Sequence, residues 1–128
     1  SFKKEERLCN KRLLEKLFHN GSSFLVYPFR IVHLSEPLPP DICSQVVIGL
    51  SKRRFKHAVD RNLIKRRIRE AYRLNKETIL YSYLKQHNIQ IVFSINYVGK
   101  EIGDYGFIEK KLVAAIKQLT KAYVKDAD

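Results

Sequence analysis

The sequence from Ser51 to Lys76 is SKRRFKHAVDRNLIKRRIREAYRLNK, and it decides how the rest of the chain is interpreted. Positions 52 to 73 hold ten basic residues and only two acidic ones, Asp60 and Glu70. The formal net charge of the whole chain is +12, so most of the imbalance lies here. Cations packed this densely repel one another unless a polyanion neutralises them. Nucleic acid is therefore the expected partner, and an anionic membrane surface is the weaker alternative.

On a helical wheel, the second half of this stretch separates into two faces. An ordinary solvated helix interleaves both signs of charge, but Glu70 is the only acid between Arg61 and Lys76. The pattern predicts a helix that packs on its apolar face and presents a cationic face to nucleic acid. The cationic face carries Arg61, Asn62, Lys65, Arg66, Arg69 and Arg73, and the apolar face carries Leu63, Ile64, Ile68, Ala71 and Leu74.

The segment KHAVDRNLIKRRIREAYR, residues 56–73, resembles the arginine-asparagine-arginine signature of the bacterial ribonuclease P protein subunit. Leu63 stands where that family has its second arginine, and Arg67 stands where the family commonly has an apolar residue. Because positions 63 and 67 are i,i+4 neighbours, we expect Arg67 to stand in for the missing arginine. The matching positions are Ala58, Val59, Arg61, Asn62, Ile64, Lys65, Arg66, Ile68, Arg69, Glu70, Tyr72 and Arg73.

The resemblance implies the protein subunit of ribonuclease P, the ribonucleoprotein endoribonuclease that removes the 5′ leader from precursor tRNA. It implies that the RNA subunit carries the phosphodiester chemistry and that Mg²⁺ is held mainly by that RNA and the substrate. The expected partners are the catalytic RNA and precursor tRNA, in the cytoplasm, with no membrane and no obligate protein partner. The alternative is a structural RNA- or DNA-binding module, such as a ribosomal protein.

The rest of the composition predicts a binding protein with no catalytic or metal-binding residues of its own. A protein that cleaves phosphodiesters usually needs clustered carboxylates for Mg²⁺ or a pair of histidines. Here the 13 acidic residues are scattered and the four histidines lie far apart in sequence. Cys9 and Cys43 lack partners at zinc-ligand spacing, and we interpret them as reduced thiols. No apolar run approaches the ~20 residues of a membrane span.

The resemblance assigns residues to two RNA surfaces. The catalytic RNA is expected to contact Arg53, Arg54, Lys56, Arg61, Asn62, Lys65, Arg66, Arg67, Arg69 and Arg73. The precursor-tRNA leader is expected to contact Leu14, Phe18, Arg30, Val32, Gly49 and Lys52. The family places aromatic residues at the positions of Leu14 and Phe18 and commonly at that of Val32, so only Phe18 keeps this pattern. By apolar periodicity alone, Phe18 is also compatible with a place in the core.

The remaining sequence predicts one α+β domain over residues 10–125, with a flexible lead-in at 1–9 and a tail at 126–128. The expected order is helix, two or three strands, basic helix, strand and helix, which makes a sandwich of one sheet covered by helices. The resemblance adds a left-handed crossover around the basic helix. The first half begins with a helix from Lys11 to about His19, capped by Asn10, and a linker at Ser22 and Ser23, followed by a strand Phe29–Leu34 preceded by Pro28, a proline-rich loop Glu36–Asp41 and a strand Gln45–Leu50. The second half begins with the basic helix, which ends at about Lys76 and has a helical continuation to His87. A strand Ile89–Ile95, a loop Asn96–Gly103 and a last helix opened by Asp104 complete the chain.

Overall fold

A computed structural model describes residues 3–125, so the predicted tail at 126–128 lies outside the described residues. The first element among the described residues is a short 3₁₀ helix at Lys4–Glu6. The helices are α1 (Lys11–Asn20), α2 (Ala58–Lys76), α3 (Ser82–Gln86) and α4 (Tyr105–Tyr123), and the strands are β1 (Ser22–Val26), β2 (Phe29–Ser35), β3 (Ser44–Leu50) and β4 (Ile91–Tyr97). A π-helical turn at Glu77–Tyr81 joins α2 to α3.

The four strands form one mixed sheet in the order β1-β2-β4-β3. The strands β1, β2 and β4 pair antiparallel, whereas β3 pairs parallel with β4. Parallel neighbours require a crossover connection, and the chain makes it with α2 and α3. The α+β sandwich predicted from the sequence is confirmed. The left-handed sense of the crossover connection stays a prediction.

The two faces of the sheet carry separate cores. On one face, Ile31 and Phe93 are fully buried in the main core with residues of α2 and α4. On the other face, Val32 and Val92 lie in a smaller buried cluster with Leu17 of α1. Helix α1 therefore lies on the side of the sheet opposite to α2 and α4.

The helix ends follow the capping residues predicted from the sequence. Asn10 Oδ1 accepts a hydrogen bond of 3.1 Å from the backbone N–H of Leu13. Asp104 Oδ1 accepts one of 2.8 Å from the backbone N–H of Phe107. Each bond satisfies an N–H that the first helical turn leaves without a partner.

Three predictions about strands and packing are wrong in detail. The predicted linker at Ser22 and Ser23 is part of β1, which forms a hairpin with β2 that turns at Tyr27 and Pro28. The strand predicted at Ile89–Ile95 lies two residues too early at both ends, because β4 is Ile91–Tyr97, so Asn96 belongs to the strand and not to the predicted loop. Leu74 of α2 is 55% exposed. Near the end of α2 the buried side chains are Tyr72 and Lys76, which lie on the same side of the helix at i,i+4 spacing. Position 74 lies between them in sequence and therefore on the opposite, exposed side of the helix.

Residues 3–8 form an N-terminal strap in place of the predicted flexible lead-in. The backbone N–H of Leu8 donates to the carbonyl of Val46 at 2.9 Å, which extends the sheet at the β3 edge. The Leu8 side chain is 3% exposed and belongs to the smaller core. The sequence gives no local signal for these contacts, since they join residues about forty positions apart.

A largely buried ion pair between Glu6 and Lys76 holds the strap against α2. Lys76 Nζ donates to Glu6 Oε1 at 2.5 Å, and the hydroxyl of Tyr81 donates to the same oxygen. Burial alone would raise the pKa of Glu6, but the hydrogen bonds from Lys76 and Tyr81 outweigh it. The pKa of Glu6 therefore lies below its ordinary value of 4.5.

This pair predicts how stability changes in acid. A carboxyl whose pKa is lowered by folding stabilises the protein above its unfolded-state pKa, and that contribution is lost as the pH falls through the folded-state pKa. The Glu6→Gln variant should lose about 2 kcal/mol of unfolding free energy at pH 7. Its stability should then vary less than that of the parent below about pH 4.5. Chemical denaturation across a pH series measures both effects.

The matched control is Glu5→Gln, since Glu5 is the exposed neighbour of Glu6. It should keep the parent's stability and pH dependence. Identical pH profiles for Glu6→Gln and the parent would show that the ion pair contributes nothing to folding.

Candidate nucleic-acid interface

The outer face of α2 is the cationic surface that the sequence predicts. Ile64, Ile68 and Ala71 are fully buried beneath it. Because these apolar side chains fix the rotation of the helix, the opposite side chains must face solvent. The side chains of Asn62, Arg66, Arg69 and Arg73 are exposed, and those of Arg61, Lys65 and Arg67 are half-buried.

Two of the predicted RNA-binding arginines hold the loop that precedes α2. Arg61 Nη1 donates to the carbonyls of Phe55 at 2.7 Å and Lys56 at 2.9 Å. Arg54 Nη1 donates to the carbonyl of Val98 in the loop after β4. A guanidinium has five N–H donors, so these bonds shape the loop and leave further donors for a ligand. Lys52, Arg53 and Lys56 of this loop are exposed.

Arg67 also makes a contact within the protein. Its Nη1 donates to the carbonyl of Gly103 at 2.6 Å, which ties α2 to the loop before α4. Leu63, one turn earlier, is half-buried. The role of Arg67 as a substitute for the arginine that the family has at position 63 stays a prediction, and the contact with Gly103 gives this side chain a structural role as well.

The other cations of α2 differ in their partners. Arg73 donates through Nε and Nη2 to the two carboxylate oxygens of Glu70, at 2.9 Å each. Both side chains of this pair are well exposed, so it contributes little to stability. Among residues 3–125, Lys65, Arg66 and Arg69 make no hydrogen bond or ion pair through their side chains. Arg66 and Arg69 are therefore the most available cations of the helix.

The predicted leader residues of α1 and β2 divide into exposed and covered side chains. Phe18 is 54% exposed, which excludes a place in the core. Leu14 is half-buried beside the smaller core. Val32 is 9% exposed and belongs to that core, so α1 covers most of its surface. Arg30 is exposed.

The strand register brings Arg30 and Gly49 into one row with a residue that the sequence analysis missed. Asn96 of β4 pairs with Arg30 on one side and with Gly49 on the other. A Cβ atom at position 49 would lie 3.2 Å from Asn96 Oδ1, so glycine leaves the amide uncovered. Asn96 Nδ2 donates to Ser94 Oγ at 2.8 Å. The alternation of Ser94 and Asn96 with buried neighbours was the signal that could have extended the strand.

The edge of β3 lies between the α1 side and the cationic helix. A groove of about 330 Å³ runs there, and it is lined by the strap, β3 and α2. Lys65 and Arg69 are the residues of α2 in its wall. Lys52 lies two residues beyond the end of β3. Of the predicted leader residues, Gly49 directly follows the groove residue Ile48 in β3. The same strand leads toward Lys52 and lines the groove together with Lys65 and Arg69.

No group of three or more His, Cys, Asp or Glu side chains among residues 3–125 is arranged to hold a metal ion. None of the helices in this part of the chain is long and apolar enough to cross a membrane.

Comparison with known proteins identifies the family. The family model described as Ribonuclease P matches residues 2–120. The ribonuclease P protein component of Porphyromonas gingivalis is 34% identical over 109 residues, which cover 85% of this chain and 79% of that protein. The chain belongs to the ribonuclease P protein family. The corresponding component of Petrotoga mobilis is 32% identical over 119 residues, covering 93% of this chain and 95% of the relative.

Solved structures of ribonuclease P proteins show the same fold. The protein from Thermotoga maritima superposes with a TM-score of 0.70 at 24% identity, covering 88% of this chain and 96% of that one. The protein from Staphylococcus aureus gives a TM-score of 0.69 at 19% identity, covering 92% and 97%. Nothing in these relatives favours the alternative of a structural RNA- or DNA-binding module such as a ribosomal protein. The family resemblance recognised in residues 56–73 is confirmed.

The availability of Arg66 predicts its contribution to RNA binding. Arg66→Ala should weaken binding of the ribonuclease P RNA and lower the slope of log affinity against log salt by about one unit per lost phosphate contact. Filter binding or fluorescence anisotropy over a salt series measures this. The matched control is Lys117→Ala on α4, which also removes an exposed cation. An unchanged slope for Arg66→Ala would place that side chain away from the RNA.

The contact of Arg67 with Gly103 predicts a mixed effect for its loss. Arg67→Leu should reduce thermal stability, because the Gly103 carbonyl loses its charged donor. If Arg67 also substitutes for an arginine at position 63, the same variant should lose about 1 kcal/mol or more of RNA affinity. The double variant Leu63→Arg, Arg67→Leu should then recover affinity without recovering stability. Parent-like RNA affinity of the single variant would limit Arg67 to its structural role.

Proposed function

We propose that this chain binds the catalytic RNA of ribonuclease P and the 5′ leader of precursor tRNA, and so supports endonucleolytic removal of the leader. The RNA subunit carries the phosphodiester chemistry in this proposal. The observation that supports it best is the outward cationic face of α2, on which Arg66 and Arg69 have no acidic partner among residues 3–125, in a chain of this family. Its exposed arginines suit the phosphates of a folded RNA, which carry most of the affinity in such complexes.

The leader belongs on the α1 side of the sheet. A single strand is bound without sequence preference by aromatic side chains that stack on bases and by cations that follow the backbone. Phe18 supplies an exposed ring, and Arg30 supplies a cation on the sheet surface. Asn96 adds an amide that can hydrogen-bond to a base or ribose. Val32 contributes to this surface by supporting α1 from below.

Three further expectations accompany this proposal and stay predictions. Magnesium is held mainly by the RNA subunit and the substrate. The protein acts in the cytoplasm. It needs no second protein to bind either RNA.

A cleavage assay tests the proposed function. Precursor tRNA and the cognate catalytic RNA are incubated at low Mg²⁺ with and without this protein. Two polyanions repel each other most when counterions are scarce, so a protein that binds both should raise the cleavage rate there and matter less at high Mg²⁺. Equal rates with and without the protein at low Mg²⁺ would contradict the proposal.

A charge-matched pair of variants sharpens this assay. Arg66→Ala with Arg69→Ala removes two cations from α2, and Lys117→Ala with Lys121→Ala removes two exposed cations from α4. The first pair should lose most of the stimulation and the second should keep it. Equal losses would mean that only the net charge of the protein matters.

The exposure of Phe18 predicts a selective effect on the substrate. Phe18→Ala should weaken binding of precursor tRNA to the ribonucleoprotein by roughly 1 to 3 kcal/mol, the usual contribution of one stacked base. Binding of mature tRNA, which has no leader, should stay within twofold of the parent. Phe107→Ala on α4 is the matched control, since Phe107 is also an exposed ring, at 38%. Equal losses for precursor and mature tRNA would remove Phe18 from the leader site.

A further inference from the structure

A second groove lies on the other side of α2, against the first turn of α4. Its volume is about 430 Å³, within the range of sites that hold small ligands. Its walls are Arg66, Arg67, Arg69, Glu70, Arg73 and Tyr105. Tyr105 is the only aromatic residue among them, and the sequence analysis assigned it no role.

The Tyr105 ring is held in place from behind. It is partly buried and packs against the main core. Its hydroxyl donates to Glu109 Oε2 at 3.2 Å, and Asn75 Nδ2 donates to the same oxygen at 3.2 Å. Asn75 is itself fixed by a bond of 2.8 Å from Nδ2 to the carbonyl of Ala71. A ring with a fixed orientation loses little freedom when a ligand stacks on it.

The charge of the groove fits an anion with a flat aromatic part. Four arginines contribute to its walls, against the single carboxylate of Glu70. That carboxylate already accepts two hydrogen bonds from Arg73. Arg66 and Arg69 have no such partner among residues 3–125. Phosphate beside arginine and a base on an aromatic ring are the two contacts by which unpaired nucleotides are bound.

We propose that this groove holds one unpaired nucleotide of the catalytic RNA, with its base stacked on Tyr105 and its phosphates paired with Arg66 and Arg69. This inference rests on the proposed function and deepens it. The groove lies on the side of the sheet that carries α2 and α4, whereas the leader surface lies on the side of α1. The occupant is therefore the catalytic RNA and not the leader.

A fluorescent reporter tests the contact directly. The chain has no tryptophan, so a single substitution introduces the only indole. In the Tyr105→Trp variant, the catalytic RNA should quench the indole emission, because a base stacks on it. In the matched variant Phe107→Trp, whose site is on the same helix but outside the groove walls, the emission should change little.

Binding measurements separate stacking from other roles of the ring. Tyr105→Leu should weaken binding of the catalytic RNA about fivefold or more, with the salt slope of the parent, because a stacked base is lost and no phosphate contact is. Tyr105→Phe should stay within twofold of the parent, since it keeps the ring and loses only the bond to Glu109. Phe107→Leu should bind as the parent does.

Each other result overturns the inference. Parent-like affinity for Tyr105→Leu, or unquenched emission for Tyr105→Trp, shows that no base stacks there. Equal losses for Tyr105→Phe and Tyr105→Leu assign the effect to the hydroxyl and its hydrogen bonds. If Tyr105→Leu does not fold, the indole emission of Tyr105→Trp still shows whether a base stacks at this position. If the parent protein fails to bind the catalytic RNA, the proposed function itself is wrong. If the parent binds the RNA and the Tyr105 variants bind it equally well, only the proposed nucleotide site in the groove is wrong.

Discussion

The burial of the apolar stripe of α2 is the interaction on which the rest of this structure depends. Ile64, Ile68 and Ala71 are fully buried and Tyr72 is 1% exposed. Each large apolar side chain removed from water contributes roughly 1.5 to 3 kcal/mol, which offsets the repulsion among the cations of the same helix. Because the stripe also fixes the rotation of α2, it decides that these cations form one outward surface.

The sequence predicts those parts of the fold that depend on neighbours along the chain. The caps at Asn10 and Asp104 and the two faces of α2 follow from residues within one or two turns. The strap was missed because its contacts, such as that of Glu6 with Lys76, join distant segments. The first strand of the hairpin was missed because Ser22 and Ser23 were interpreted as a linker and the strand was expected to begin only after Pro28.

The candidate site shows the same division between local and distant information. Residue type alone marks Arg61 and Arg66 as equal candidates for RNA contact, yet Arg61 holds the preceding loop while Arg66 has no side-chain partner among residues 3–125. Asn96 was placed in a loop, and only the strand register brings it beside Arg30. A count of cations in a sequence therefore overstates the number devoted to the ligand, because some arginines also hold the backbone that presents the others.

The strap has a consequence for how separate copies of the protein behave toward one another. Strand β3 is an edge of the sheet, and an uncovered edge is a template for pairing with a second molecule. Leu8 occupies this edge at Val46, and Lys65 and Arg69 stand over the groove beside it. If the β3 edges of two molecules approached each other, the Lys65 and Arg69 side chains of both molecules would come close together and repel. The cations that we propose to bind RNA should therefore also oppose strand-by-strand aggregation while no RNA is bound.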